Sequence, residues 1–339
     1  MRESHGGIAL AALLLAPGCS GTGDSGAPDA NSVPPAESYS VVWHKTIPAY
    51  TEEVECVVRR LGNDVPVHIN RIRNELGGVS HHLIVYRTPQ TVEQPEPAPC
   101  ESIENLVNDE NGQPLMITQR TVEDLQLPEG ISFDMEPEQM IRLELHYVNA
   151  GSEPLDVTVT STFYPIADAQ YVAAADLLFV GSPDMEIPPG SSYTLGPLFN
   201  PYSWELGDSK IFGITGHTHQ WGTNVYVELT PAEDQPGTPV YDLVDFNYDE
   251  PETIYLDPPL TLPVGGGFRF TCEWNNQSDR WVTFGEEVDD EMCFFWTYYY
   301  PSKGPRTCFH SEKAGPNPID VCCPGDQLCN LIDDYIDSL

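Results

Sequence analysis

From about Tyr39 onward the chain is written in short apolar or alternating runs cut by Pro, Gly, Asn and Asp. Such runs are Val65–Asn70, His82–Arg87, Met140–Val148, Leu155–Phe163, Ser192–Leu195, Asn224–Leu229, Thr253–Leu256, Gly267–Glu273 and Met292–Tyr300. Alternation over four to eight residues bounded by turn formers is the signature of half-buried strands. Sustained helical periodicity is absent, except for the acidic end Gln327–Leu339. The pattern predicts an all-β protein of sandwich or jelly-roll type. A chain of 339 residues exceeds one typical domain and implies two. One β-run ends and another begins around Tyr164–Asp168, so the boundary falls there, giving domains over 39–166 and 167–303.

The flanks read differently. Ile8–Ala16 is apolar but too short to span a bilayer, as in an export signal. It runs into Leu15-Ala16-Pro17-Gly18-Cys19, which resembles a bacterial lipobox with Cys19 as the acylated residue. Residues 1–19 are therefore expected to be signal and anchor, and 20–38, rich in Gly, Ser, Ala, Pro and Asp, a flexible tether. The protein is expected to be exported and lipid-anchored in the bacterial cell envelope. With Cys19 set aside, eight of the nine cysteines remain, enough for four disulfides in an oxidising compartment. Cys308, Cys322, Cys323 and Cys329 crowd into 304–339, which reads as a locally stapled tail.

Charge narrows the partners. Fifteen basic against 52 acidic residues give a formal net charge of −37. A phosphate backbone needs a basic face, so nucleic acid is excluded, and an anionic membrane surface would be repelled. Membrane contact is expected only through the lipid.

The histidines carry the chemistry. Ser80-His81-His82-Leu83 places two imidazoles side by side, and adjacent strand residues face opposite ways. They reach one metal only if the strand end bends. In Ile141–Tyr147, alternation puts Arg142, Glu144 and His146 on one face and the aliphatic residues on the other. In Gly216-His217-Thr218-His219-Gln220-Trp221-Gly222, the i, i+2 spacing sends both imidazoles from one strand face, close enough to chelate. Flanking glycines allow a close backbone approach. Finally, Glu291-Met292-Cys293 opens an aromatic run, with Met292, Phe294, Trp296, Tyr298 and Tyr300 on one face. Taken singly, the His81-His82 pair and His146 read as surface residues and Met292 as packing, whereas the His217/His219 pair is the strongest local metal signal.

His-His, then His-Tyr, then His-Thr-His, then Glu-Met-Cys, in that order over 39–301, resembles the copper type II ascorbate-dependent monooxygenases, which include peptidylglycine- and dopamine-hydroxylating enzymes. The resemblance implies two tandem antiparallel jelly-roll β-sandwich domains with an interdomain cleft and two coppers per chain. His81, His82 and His146 would hold the electron-transfer copper. His217, His219 and Met292 would hold the oxygen-activating copper and form the catalytic centre. It also implies disulfides Cys56–Cys100 and Cys272–Cys293. Ascorbate or a similar one-electron reductant would be the co-substrate, with O2 and a small molecule bearing the hydroxylated C–H bond, acted on by a monomer. Three imidazoles suit a copper that cycles between oxidation states, and a thioether favours Cu(I). The chain departs from the peptidylglycine enzymes where they fix a peptide carboxylate: Thr215 replaces an arginine, and Phe294 and Trp296 replace an asparagine and a tyrosine. A glycine-extended peptide is thus not the expected substrate. The alternative is a non-catalytic copper-binding envelope lipoprotein that kept its sites and lost turnover. Loss of copper is expected below about pH 6, near the ordinary histidine pKa.

Overall fold

The computed structural model describes residues 37–100, 112–336 and 338–339, which lie in one compact unit, Pro35–Leu339. Cys19 and most of the tether lie outside the described residues. The chain is all-β, with 23 strands and a single α-helix among the described residues.

The first half builds two sheets. One has the order β1 (Tyr39–Ile47), β10 (Leu155–Ile166), β3 (Val67–Glu75), β8 (Ile131–Met135) and β11 (Ala173–Ala174), with β7 (Val122–Gln126) also on β3. The other runs β5 (Gln94–Pro99), β2 (Thr51–Arg60), β9 (Met140–Asn149), β4 (Ser80–Thr88), β6 (Gln113–Thr118). Alternate residues of β1 (Val41, Trp43, Ile47) are buried, and Trp43 meets Tyr147 of the opposite sheet at 5.9 Å between ring centroids. That is the sandwich the alternation predicts.

The second half repeats the plan. A six-stranded sheet runs β18 (Ile254–Thr261), β15 (Lys210–His217), β21 (Phe294–Tyr300), β12 (Asp176–Gly181), β22 (Arg306–Ser311), β23 (Ile319–Cys323). It packs on β14 (Ser191–Pro201), β19 (Gly267–Asn276), β16 (Gly222–Thr230), β17 (Thr238–Asp242), with Phe268 and Phe270 of β19 5.2 and 5.6 Å from Phe295 of β21. A small pair, β13 (Glu186–Ile187) and β20 (Val282–Thr283), stands apart from both sheets.

Four disulfides form. Cys56–Cys100 ties β2 to the segment after β5, and Cys272–Cys293 ties β19 to the residue beside Met292. Cys308–Cys322 and Cys323–Cys329 staple the tail, the latter to helix α1 (Cys329–Ile336). The tail is more than an appendage: β22 pairs in parallel with β12, and β23 continues the sheet.

Candidate metal centre

The His81-His82 problem is solved by a bulge. On the β4–β9 ladder Ser80 opposes Tyr147 and His82 opposes His146, so His81 is an extra residue on its strand. A bulge turns one side chain out of the alternation, bringing both imidazoles to one side. Val79 enters it at φ +65°, a costly conformation for a β-branched residue. Each of His81, His82 and His146 offers a ring nitrogen within 4.8 Å of the others, and the three ring centroids lie 5.1–5.4 Å apart.

His146 stands on a polar face that alternation alone would expose, yet Arg142, Glu144 and His146 are all buried. Behind the cluster, Glu144 pairs with Arg142 at 3.0 Å and accepts from the Tyr86 hydroxyl at 3.1 Å. His146 Nε2 donates to Glu52 Oε1 at 3.0 Å, which leaves Nδ1 as the lone-pair nitrogen.

His217 ends β15, and His219 lies in the turn beyond it rather than on the strand. Their rings are nevertheless 5.2 Å apart. The flanking glycines are required by packing. A Cβ on Gly222 would sit 1.8 Å from Thr218 Oγ1, and one on Gly216 would sit 2.6 Å from the Tyr241 ring. Nδ1 of His219 donates to the Asp290 carbonyl at 3.1 Å, and Nδ1 of His217 lies 2.9 Å from Gln119 Oε1. Glu291 clamps the turn: its carboxylate accepts from the backbone N–H of His219 (2.8 Å) and Trp221 (2.6 Å) and from the Trp274 indole (2.8 Å). Burial pushes this carboxyl up to about 7 against those donors, which pull it down.

Both sets meet. His82, His146, Gln119, His217, Met292 and Trp296 line one cavity of about 40 Å³, and the ring centroids of His81 and His219 are 6.1 Å apart. The space these side chains line has room for about three waters. Of the aromatic run, Trp296 touches the cavity, whereas Phe294 stacks on Phe179 at 4.9 Å and Tyr298 packs against Phe212.

The same burial disfavours protonation. Desolvation lowers His81 and His146 to about 4 and His219 to about 3, with neighbouring imidazoles adding to the effect at His81 and His219. His82 and His217 are driven well below the ordinary value for the same reasons. Neutral imidazole is the form a metal needs.

Residues 173–317 match the model of the copper type II ascorbate-dependent monooxygenase C-terminal domain. The matched segment contains His217, His219, Met292 and the Cys272–Cys293 pair, and it reaches β22. The three-histidine cluster lies outside it and rests on geometry. Among solved structures, the chain aligns with the STIV MCP at 9% identity, over 78% of this chain and 96% of that one, TM-score 0.36. It aligns with PNGase F, a glycosylasparaginase from Flavobacterium meningosepticum, at 12% identity, over 84% and 100%, TM-score 0.37. Likenesses at that level carry no argument about function.

The donor chemistry fits copper. His81 Nε2, His82 Nδ1, His146 Nδ1 and His219 Nε2 are buried with no hydrogen-bond partner. Orphaned buried nitrogens are costly unless something binds them. Those of His82 and His146 belong to residues lining the same cavity as the buried thioether of Met292, a soft donor suited to Cu(I). Glu52 and Gln119, which orient these histidines, carry no motif; Glu291 was visible in the sequence only as part of Glu-Met-Cys.

Proposed function

We propose that the chain is a copper-dependent monooxygenase of the type II, ascorbate-dependent family. His81, His82 and His146 hold an electron-transfer copper, and His217, His219 and Met292 hold the oxygen-activating one. The observation that carries this reading is the convergence of His82, His146, His217 and Met292 on one cavity, with partnerless nitrogens on His81, His82, His146 and His219 around it. When bound, copper supplies one-electron redox chemistry and oxygen binding for hydroxylation of a C–H bond, with ascorbate or a similar one-electron donor as reductant. The chain's own residues do the rest. Glu52 holds the Nε2 proton of His146, and the Asp290 carbonyl holds the Nδ1 proton of His219, so each ring presents its other nitrogen. Burial excludes water and keeps the rings neutral.

The substrate is a small molecule other than a glycine-extended peptide. Thr215, at the position of the peptide-binding arginine, is engaged with Thr253 at 2.8 Å, and Phe294 is core. We further propose two tandem jelly-roll domains, export, an acyl anchor at Cys19 and a monomeric state. Mass spectrometry of the mature N-terminus and sedimentation of the delipidated protein check the last two. The missing carboxylate clamp at Thr215 favours one other reading, a copper-binding envelope lipoprotein without turnover.

The deciding experiment is anaerobic loading with Cu(I). Wild type should bind two coppers per chain, and Met292→Ala and His146→Ala about one each. One copper or none in wild type, unmoved by Met292→Ala, would overturn the two-centre reading. Ascorbate-dependent O2 uptake coupled to a hydroxylated product then separates enzyme from binding protein.

A further inference from the structure

Of the two histidines on the C-terminal half's centre, His219 is oriented by its own half, through the Asp290 carbonyl. His217 is not. Its Nδ1 partner is Gln119, the residue after β6, in the first half of the chain. Gln119 is 6% exposed, and its amide is pinned at both ends. Nε2 donates to the Tyr248 carbonyl at 3.4 Å, and a carbonyl can only accept, so Oε1 is the atom facing His217 at 2.9 Å. Oε1 in turn can only accept. The proton of His217 must therefore sit on Nδ1, and its Nε2 is the lone-pair nitrogen.

The acceptors also differ in kind. His146 is backed by the carboxylate of Glu52, whereas His217 is backed by a neutral amide. A carboxylate acceptor raises the basicity of a ligating imidazole, and an amide does so less. A less basic ligand set, with a thioether in it, favours reduced copper.

We propose that Gln119 is a positioning residue for His217, supplied by the other half of the molecule. It fixes the tautomer of His217 and keeps it a weak donor, so that the methionine centre is completed only by a residue from the three-histidine side. The inference rests on the copper reading above. It extends to a residue outside every motif and outside the matched segment.

The test uses the full chain, loaded anaerobically with Cu(I) and then exposed to carbon monoxide. Gln119→Leu should weaken Cu(I) binding at the methionine centre by about ten- to a hundredfold, with the three-histidine centre unchanged. Gln119→Glu should restore binding but lower the C–O stretch of the carbonyl adduct, because a more basic His217 makes copper a better back-donor. Both variants matching wild type in affinity and in C–O stretch would overturn the proposal. Should Gln119→Leu fail to fold, the stretch of Gln119→Glu decides alone: a lowered frequency supports the role and an unshifted one removes it. A wild-type chain that binds no copper overturns the copper reading itself, and this inference with it.

Discussion

At the scale of residues, the site is a set of imidazoles kept neutral by burial. The linkage to pH follows from the direction of the shifts. Folded His146 titrates at about 4, against 6.5 in the unfolded chain. Between those values the unfolded chain takes up a proton that the folded chain refuses, so stability is full above 6.5 and falls as pH falls toward 4. The shift corresponds to roughly 3 kcal/mol for this residue. Apoprotein denaturation should therefore show a midpoint that drops steeply from pH 6.5 to 4, and His146→Asn should flatten that drop. Copper loss, expected near pH 6 from the ordinary histidine pKa, moves down with the shifts. Dialysis should retain metal to about pH 5, and half-release already at pH 6 would contradict the buried geometry. Glu52→Ala, which removes the acceptor on His146, should cost the three-histidine centre about ten- to a hundredfold in copper affinity, measured by competition with a chelator. These clustered histidines were legible in the sequence because motif order survives where side-chain direction does not. Gln119 was not, because nothing local marks a glutamine whose partner is 98 residues away.

At the scale of elements, period-two alternation located the strands well. The runs at Met140–Val148 and Gly267–Glu273 became β9 and β19, extended to Asn149 and Asn276. What alternation could not show was departure from it. The bulge at His81 and the turn at His219 are two places where the strand rule fails, and both hold candidate ligands. Functional positions are where local rules are expected to break. The burial of the polar face of β9 was hidden for a related reason, since an alternating pattern says which residues share a face but not what covers it. The Cys272–Cys293 link anchors the start of β21, and with it Met292, to β19. Replacing both cysteines by serine should cost about 2–5 kcal/mol of stability and lower copper occupancy at the methionine centre before the other. Metal analysis of the folded fraction checks the order of loss.

At the scale of the whole molecule, the halves are joined by polar contacts as well as by the cavity. The Glu52 carboxylate that holds His146 also accepts from the Val288 backbone at 3.2 Å. Thr253 donates to Glu123 at 2.9 Å, and Arg87 meets the buried Asp176 at 2.6 Å. Residues 35–339 form one compact unit. Calorimetry of the apoprotein should accordingly give a single cooperative transition, shifted upward by copper. Two resolved transitions would mean that the halves melt independently.

The parallel pairing of β12 with β22 sets an order of events during synthesis. β12 leaves the ribosome at the start of the second half, but both its neighbours come much later, β21 at Phe294–Tyr300 and β22 at Arg306–Ser311. Until that stretch emerges, β12 has an open edge, and an open edge is an invitation to pair with the wrong chain. A nascent chain stalled before Ser311 could complete its first sandwich but not its second, so the half bearing His217, His219 and Met292 is the last to close.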